Sequence, residues 1–436
     1  MAVDEFNLRR NFIQEKIGDG VAIIFNAKEV TRNNDCNFKF RSDSYFHYFA
    51  NFPEPSSVLF IVGGNKPRSI LFCREKNPDL ETWEGFIYGP DLAKENFGFD
   101  ETYSIEQIDE IAPKIIAKFK KVYTPLSTNQ NSNKKIQSWI KSNKNQKRAG
   151  IRSPEMIVDL SFLADSMRVV KSKNELLLMK QSADIAAKAH EIAMRKTLPG
   201  KYEYQIEGEV LNQFMQLGAK DPAYLSIVAS GINACTLHYT ENKNLLKDGD
   251  LLLIDAGCEY ELYASDITRT YPINGKFSDP QKIIYELVLE AQKAAIAKVT
   301  KGNAFDQPHK AALDTLVQGL IDLEFCQGSV DKVIEEKLYQ KFFMHRTSHW
   351  LGLDVHDVGD YVDDNDKSIA LNIGNVLTIE PGIYISPSKT IPKEFWGIGI
   401  RIEDDVVVGK KTPQILSINA PKEVNELENL IGSFGE

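Results

Sequence analysis

Short apolar runs, each closed by polar residues or by Gly and Pro, punctuate the first third of the chain. VAIIF (Val21–Phe25), SSVLFIV (Ser56–Val62) and RSILFC (Arg68–Cys73) have the length and composition of buried strands. The segment Ile105–Lys121 spaces its apolar residues helically instead, so residues 1–170 read as an α/β domain. A polar connector rich in Lys, Asn and Ser follows. In SKNE, Ser172 can cap a helix while Glu175 reaches back to the first turn. Leu178, Ile185, Ala189 and Ile192 then recur at helical spacing until Pro199-Gly200 stops the run. His190 falls inside this helix and reads as a structural histidine. Further helices are expected near 203–217, 280–300, 305–322 and 331–341. Between them lie the strand-like segments DLLLIDAG, DITRTYPI, VLTIEPGIYI and GIGIRIEDDVVV. Residues 171–436 therefore read as an α+β domain of catalytic character.

The length of 436 residues agrees with two cores rather than one. A content of 42% apolar and 26% charged residues is that of a soluble globular protein. The net charge of −9 argues against nucleic acid as a partner, because phosphates call for a basic surface. The basic stretch Lys134–Arg148 reads as a solvated helix face or loop. Cys36, Cys73, Cys235, Cys258 and Cys326 are dispersed with no CxxC, which suits reduced thiols in a cytoplasmic protein. The charged N-terminal segment has no apolar signal-peptide region, and no run is long enough to span a membrane.

Candidate chemistry lies in the second half. The chain has seven histidines, and three of them, His345, His349 and His356, fall within HRTSHWLGLDVHD. Carboxylates recur at strand ends. In GIGIRIEDD, strand alternation puts Ile398, Ile400 and Ile402 on one face and Gly397, Gly399, Arg401 and Glu403 on the other. The glycines keep that second face low, so that something can approach the backbone. An ion pair on a solvated edge is the plainer alternative. Asp404, one residue on, should face away, and Asp404→Asn should be far milder than Glu403→Gln.

Asp255 ends one apolar strand and Asp266 begins the next, with Gly257–Tyr263 reading as a hairpin connection between them. The two carboxylates would repel unless a cation or a proton intervened. Glu380 ends VLTI before Pro381-Gly382, and taken singly it could be a satisfied buried acid. Taken together, Asp255, Asp266, Glu380, Glu403 and His349 carry a charge of about −4, which two divalent cations would neutralise. So oxygen-rich a set suits Mn²⁺, Co²⁺ or Fe²⁺ better than the Cys/His sets of structural zinc, although Zn²⁺ is possible. Two such ions typically lie about 3.5–4 Å apart and share a water nucleophile.

These blocks resemble the aminopeptidase P (Xaa-Pro aminopeptidase) branch of the pita-bread dinuclear metallopeptidases, a group that includes prolidase. HRTSHWLGLDVHD is similar to the histidine signature of that group. LHYTEN, IDAGCEY…SDITRT, TIEPGIY and GIGIRIEDD follow the remaining blocks in order. In the first domain, RSDSYFHYFANFPEP and TWEGFIYGP resemble the aminopeptidase P N-terminal region. The resemblance implies an N-terminal aminopeptidase P domain over 1–170 and a creatinase/aminopeptidase-like pita-bread catalytic domain over 171–436. It implies that Asp266 and Glu403 bridge two metals, Asp255 binds one, and His349 and Glu380 bind the other. His238 and His356 are expected to flank the substrate, Glu380 to assist proton transfer, and His345, Tyr384 and Arg401 to contribute to substrate binding. The implied reaction releases the N-terminal residue from peptides with proline in second position, in a cytoplasmic homo-oligomer, dimer or tetramer. Prolidase activity on dipeptides and a metal-free binding protein of the same fold are the alternatives. In DYVDDNDKSIALNIG the chain departs from relatives that carry arginines there. Lys367 is the replacement cation, and it lacks the bidentate fork of arginine.

Overall fold

The three apolar runs of the first third pair with one another. Gly20–Phe25, Val58–Val62 and Arg68–Cys73 lie side by side as antiparallel neighbours. Parallel strands Glu101–Ser104, Lys121–Thr124 and Met156–Asp159 complete a mixed sheet of six. The structure, a computed structural model, describes residues 3–126 and 130–433. Its chain divides into two units, Met1–Ser166 and Met167–Glu436. In the first, the basic stretch is the outer face of helix Gln130–Asn145, which buries Ile136 and Trp139 against the sheet.

The second unit opens on helix Lys173–Lys196. Ser172 and Glu175 make the reciprocal cap expected of them. This helix packs against Glu203–Gln216, and its apolar face (Ile185, Ala189, Ala193) enters a large core. Helices Asp279–Ile296 and Gln307–Asp322 pack on one another and supply more of that core. The expected helix over 331–341 is shorter, Val330–Glu335 followed by a 3-10 turn at Leu338–Lys341.

Two strand systems form the floor of the site. In the first, Leu251–Asp255 is the central strand between Ile227–Ser230 and Thr268–Pro272, with Asp255 opposite Thr268. The connection from Asp255 to Asp266 is a hairpin of Cys258–Tyr260 with Tyr263–Ala264. In the second system the two long expected strands are each interrupted. Val376–Ile379 pairs with Asp404–Val407, and Gly382–Tyr384 with Gly399–Arg401. The gap falls at Pro381, which has no N–H to give to a ladder. Register is unbroken across the gap. Ile379 faces Asp404 and Gly382 faces Arg401, so Glu380 lies opposite Glu403. Ile402 N–H still donates to the Pro381 carbonyl at 3.3 Å. The isoleucine face is as expected, with Ile398, Ile400 and Ile402 all buried in the core.

The two systems are stitched together behind the carboxylates. Glu403 N–H donates to the Thr268 carbonyl at 3.0 Å. Thr270 Oγ1 accepts from Arg401 N–H at 3.2 Å and donates to its carbonyl at 3.0 Å. Arg269 is fully buried and donates to the Glu403 and Ala420 carbonyls and to Asp404 Oδ1 at 2.8 Å. Lys422 Nζ, Gln292 Nε2 and Ser417 Oγ also reach the Asp404 carboxylate. Asp404 therefore faces away from Glu403 as alternation requires, but it faces the core and not solvent. Burial alone would raise its pKa; Arg269 and Lys422 hold it down at about 2. Asp404→Asn, expected to be far milder than Glu403→Gln because Asp404 faces away, therefore carries a cost to the fold of its own. Asp404→Asn leaves Arg269 without its countercharge in the interior and should destabilise the protein by about 3 kcal/mol. Calorimetry should register a lower melting temperature, and a variant that melts with the parent would refute the account.

Candidate active site

Each carboxylate is delivered by an element whose apolar side is anchored in the core. Asp255 is the last residue of its strand, and Asp266 follows the hairpin back to the same end. That return is tight: a Cβ on Gly257 would lie 1.7 Å from the Ser265 carbonyl oxygen, so only glycine fits. Glu380 and Glu403 come from the facing gap residues of the second strand system. Like charges directly opposite one another repel, so this register is costly unless something positive sits between them. His349 lies near the two systems, its backbone tied to Thr378.

Asp266, His349 and Glu403 each present a ligand atom, and these atoms lie within 4.8 Å of one another. His349 Nε2 is 3.4 Å from Asp266 Oδ2 and 3.6 Å from Glu380 Oε1. The phenol of Tyr224 reaches both Asp255 Oδ1 at 2.6 Å and Asp266 Oδ1 at 2.5 Å. Arg401 Nη2 donates to Asp255 Oδ2 at 2.6 Å and its Nε to Thr268 Oγ1 at 3.1 Å, while Thr268 donates to Glu403 Oε2 at 2.6 Å. All five expected ligands thus belong to one connected cluster.

Its electrostatics show a shortage of positive charge. Burial, reinforced by Asp266, Glu380 and Asp255, pushes the Glu403 carboxyl well above its usual range. Burial likewise lifts Asp266, and lifts Glu380 to about 7 despite His349 and Arg401. Burial disfavours a charged His349, yet Asp266 and Glu380 prevail and raise it to about 9. The His349 Nδ1–H donates to the Trp350 carbonyl at 2.9 Å, so the neutral ring would turn the Nε2 lone pair toward those carboxylates. A lone pair and carboxylates converging on one space fit a cation. The donors, one imidazole nitrogen and carboxylate oxygens without a thiolate, suit hard or borderline divalent ions.

The cluster forms the floor of a cavity of about 1000 Å³. Five of the seven histidines line it: His238, His309, His345, His349 and His356. The His356 ring meets His349 edge-on, with centroids 4.5 Å apart. Both nitrogens of His345 are engaged by the protein. Nδ1–H donates to the Arg346 carbonyl at 2.7 Å, so Nε2 accepts from Tyr384 Oη at 2.8 Å. Arg401 Nη1 in turn donates to Tyr384 Oη at 2.9 Å. Burial and the nearby Arg401 lower the His345 pKa to about 3, which keeps the ring neutral. One wall is aromatic: Phe305 meets Tyr361 edge-on at 4.8 Å, and Trp350 packs behind both.

Several participants escaped sequence reasoning. Tyr224 stands in a stretch with no motif, and only its distance to the aspartates reveals it. His309 comes from helix Gln307–Asp322 and hydrogen-bonds Thr347 at 2.8 Å. Asp405 accepts the Asp266 N–H from beneath at 3.2 Å. The close approach anticipated at the glycine face is made by the protein itself: a Cβ on Gly399 would lie 2.5 Å from the Ala234 carbonyl. Lys367, the replacement cation, is exposed, and its N–H and carbonyl close a turn with Asp363; the cavity is lined instead by Tyr361, Val362, Asp366 and Ser368 from this segment.

Known proteins share both halves of this architecture. The profile described as "Metallopeptidase family M24" matches residues 177–410, and "Aminopeptidase P, N-terminal domain" matches residues 6–123. The Xaa-Pro aminopeptidase of Haemophilus influenzae is 43% identical over 431 residues, 98% of this chain and 97% of that one. The Escherichia coli Xaa-Pro aminopeptidase is 39% identical, with 98% and 97% covered. The structure of Pseudomonas aeruginosa aminopeptidase PepP superposes with a TM-score of 0.98 at 42% identity, covering 100% of this chain and 99% of that one. Escherichia coli aminopeptidase P with the inhibitor Pro-Leu gives 0.96 at 37% identity, covering 100% of both. With an α/β N-terminal domain, a pita-bread catalytic domain and this carboxylate–histidine cluster, the chain belongs to the aminopeptidase P branch of metallopeptidase family M24.

Proposed function

We propose that the protein acts as an Xaa-Pro aminopeptidase, a metal-dependent hydrolase that removes the N-terminal residue ahead of proline. The observation that carries this reading is the convergence of Asp266, His349 and Glu403 on the floor of the cavity, with Glu380 in register opposite Glu403. In this reading Asp255, Asp266, His349, Glu380 and Glu403 would together hold two divalent ions. The oxygen-rich donor set favours Mn²⁺, with Co²⁺, Fe²⁺ or Zn²⁺ as alternatives. When bound, the ions supply the positive charge that polarises the scissile carbonyl and acidifies the attacking water.

The chain's own groups do the rest. Glu380 is the most open of the four carboxylates, its side chain 18% exposed against 12% for Asp255 and 8% for Asp266, while Glu403 is 1% exposed. That position suits it to take the proton lost by water and return it to the leaving nitrogen. His238 and His356 stabilise the developing negative charge or the departing proline nitrogen. Arg401 fixes the Asp255 carboxylate and polarises the Tyr384 hydroxyl, while His345 fixes the direction in which that hydroxyl donates. The Xaa-Pro amide is tertiary and offers no N–H, so a site that asks for none is required. The aromatic wall of Phe305 and Tyr361 gives a pyrrolidine ring an apolar surface.

We further take residues 1–170 as the N-terminal domain and 171–436 as the catalytic one. All five cysteines are free, which suits a cytoplasmic setting. No helix among the described residues is long and apolar enough to cross a membrane. Trp83 and Phe86, 87% and 61% exposed, suit an interface in a dimer or tetramer.

Three measurements test this function. With Mn²⁺, an Xaa-Pro-Xaa tripeptide should be cleaved and EDTA should abolish the cleavage; activity on Xaa-Pro dipeptides alone would make the protein a prolidase. His349→Ala should lower both metal content and turnover, whereas His238→Ala and His356→Ala should keep the metal and lose turnover. Equal metal loss in the His356 and His349 variants would sink the division of roles. Glu403→Gln is nearly isosteric and should fold, but it removes a ligand charge. Elemental analysis should find fewer than two ions per chain and kinetics little hydrolysis; two retained ions with full turnover would reject Glu403 as a ligand.

A further inference from the structure

His238 stands on a loop with little regular structure of its own. Residues 231–244 leave strand Ile227–Ser230, form the 3-10 turn Gly231–Cys235, and bring His238 to the cavity wall. An exposed segment of this kind is expected to sample many positions. A histidine that acts on a transition state must hold one.

The restraint comes from a residue outside the cavity lining. Glu203 is the first residue of helix Glu203–Gln216 and has no solvent exposure. Its Oε1 accepts from Ser230 N–H at 2.7 Å, Ser230 Oγ at 2.6 Å and Asn233 Nδ2 at 3.0 Å. Its Oε2 accepts from Tyr239 Oη and from Asn244 N–H, both at 2.8 Å. These five donors span the loop from the end of its strand to its return. Glu203 N–H completes the strap by donating to the Asn244 carbonyl at 2.9 Å. The tie to Tyr239 matters most, because that ring turns inward onto Glu203 while the preceding residue, His238, faces the cavity. Two further contacts seat the loop. Asn242 takes the Val228 N–H at 3.0 Å and gives to the Ser226 carbonyl at 2.9 Å, and Ala234 packs on Gly399.

We propose that Glu203 is the positioning residue for His238, a single buried carboxylate that fixes the loop so that the imidazole keeps its place on the cavity wall. The inference rests on the assignment of His238 to the reaction made above. A carboxylate is needed because all five groups donate. A glutamine would accept through one oxygen and turn its own N–H groups toward donors, leaving buried groups unpaired.

The test is a double-mutant cycle on the metal-loaded enzyme with an Xaa-Pro-Xaa tripeptide. Glu203→Gln should lower kcat on the order of 10- to 100-fold, the scale of a displaced catalytic group. Metal content should be unchanged and KM should move by less than about twofold. In a His238→Ala background the same substitution should have no further effect on kcat, because the group it positions is gone. A general structural role would lower kcat in both backgrounds alike, and that result overturns the inference, as does wild-type kcat in Glu203→Gln. Wild-type kcat in His238→Ala would instead remove the role of His238 itself, a distinct outcome. If Glu203→Gln does not fold, Tyr239→Phe takes its place, since it deletes one hydroxyl of the strap. It should lower kcat more mildly, again only when His238 is present, and an unchanged kcat there overturns the proposal.

Discussion

Carboxylates crowded at the ends of strands repel one another, and much of the catalytic unit is arranged to withstand that repulsion. Glu380 faces Glu403 in register, and Asp255 and Asp266 share the phenol of Tyr224. Hydrogen bonds from Arg401 and Thr268 remove part of the strain on Asp255 and Glu403. Behind them, Arg269 and Asp404 lock the two strand systems together so that the charged ends cannot splay. Taken from water to an interior, such a cluster is unfavourable by itself. Preorganisation of this kind is what allows a site to bind cations tightly and act on a transition state without rearranging.

The sequence made the strand floor legible because period-two alternation is a strong signal when one face is all isoleucine. The same signal identified Arg401 and Glu403 as partners on the opposite face. It marked the end of VLTI at Glu380 and Pro381 but not the matching gap at Ile402 and Glu403, since the alternation of GIGIRIEDDVVV passes straight through it. Alternation also told which way Asp404 points without telling what lies there. Whether the reverse face meets solvent or core depends on Lys422 and on helix Asp279–Ile296, the latter far away in the chain.

The site residues divide along similar lines. Those carried by dense motifs, such as His349 in HRTSHWLGLDVHD, were recognisable from neighbours a few positions away. Tyr224, His309 and Glu203 stand in ordinary surroundings and acquire meaning only through contacts with segments tens of residues distant. Their local spacing is unremarked. Tertiary geometry alone distinguishes them from any other buried tyrosine, histidine or glutamate.

The in-register pairing of Glu380 with Glu403 also separates what this protein can vary from what it cannot. Side chains alternate along a strand, so a slip of one residue in either strand would turn its glutamate into the isoleucine core and break the pair. Strand register and the meeting of these two carboxylates are thus one constraint, and neither strand can gain or lose a residue. The connection between them is different. Residues 386–390 form a largely exposed tip, held at its base by buried Ile391 and Phe395. Lengthening an exposed loop costs little. The tip is where insertions can accumulate over evolutionary time, or a foreign segment be grafted, while the paired glutamates a few residues away stay fixed.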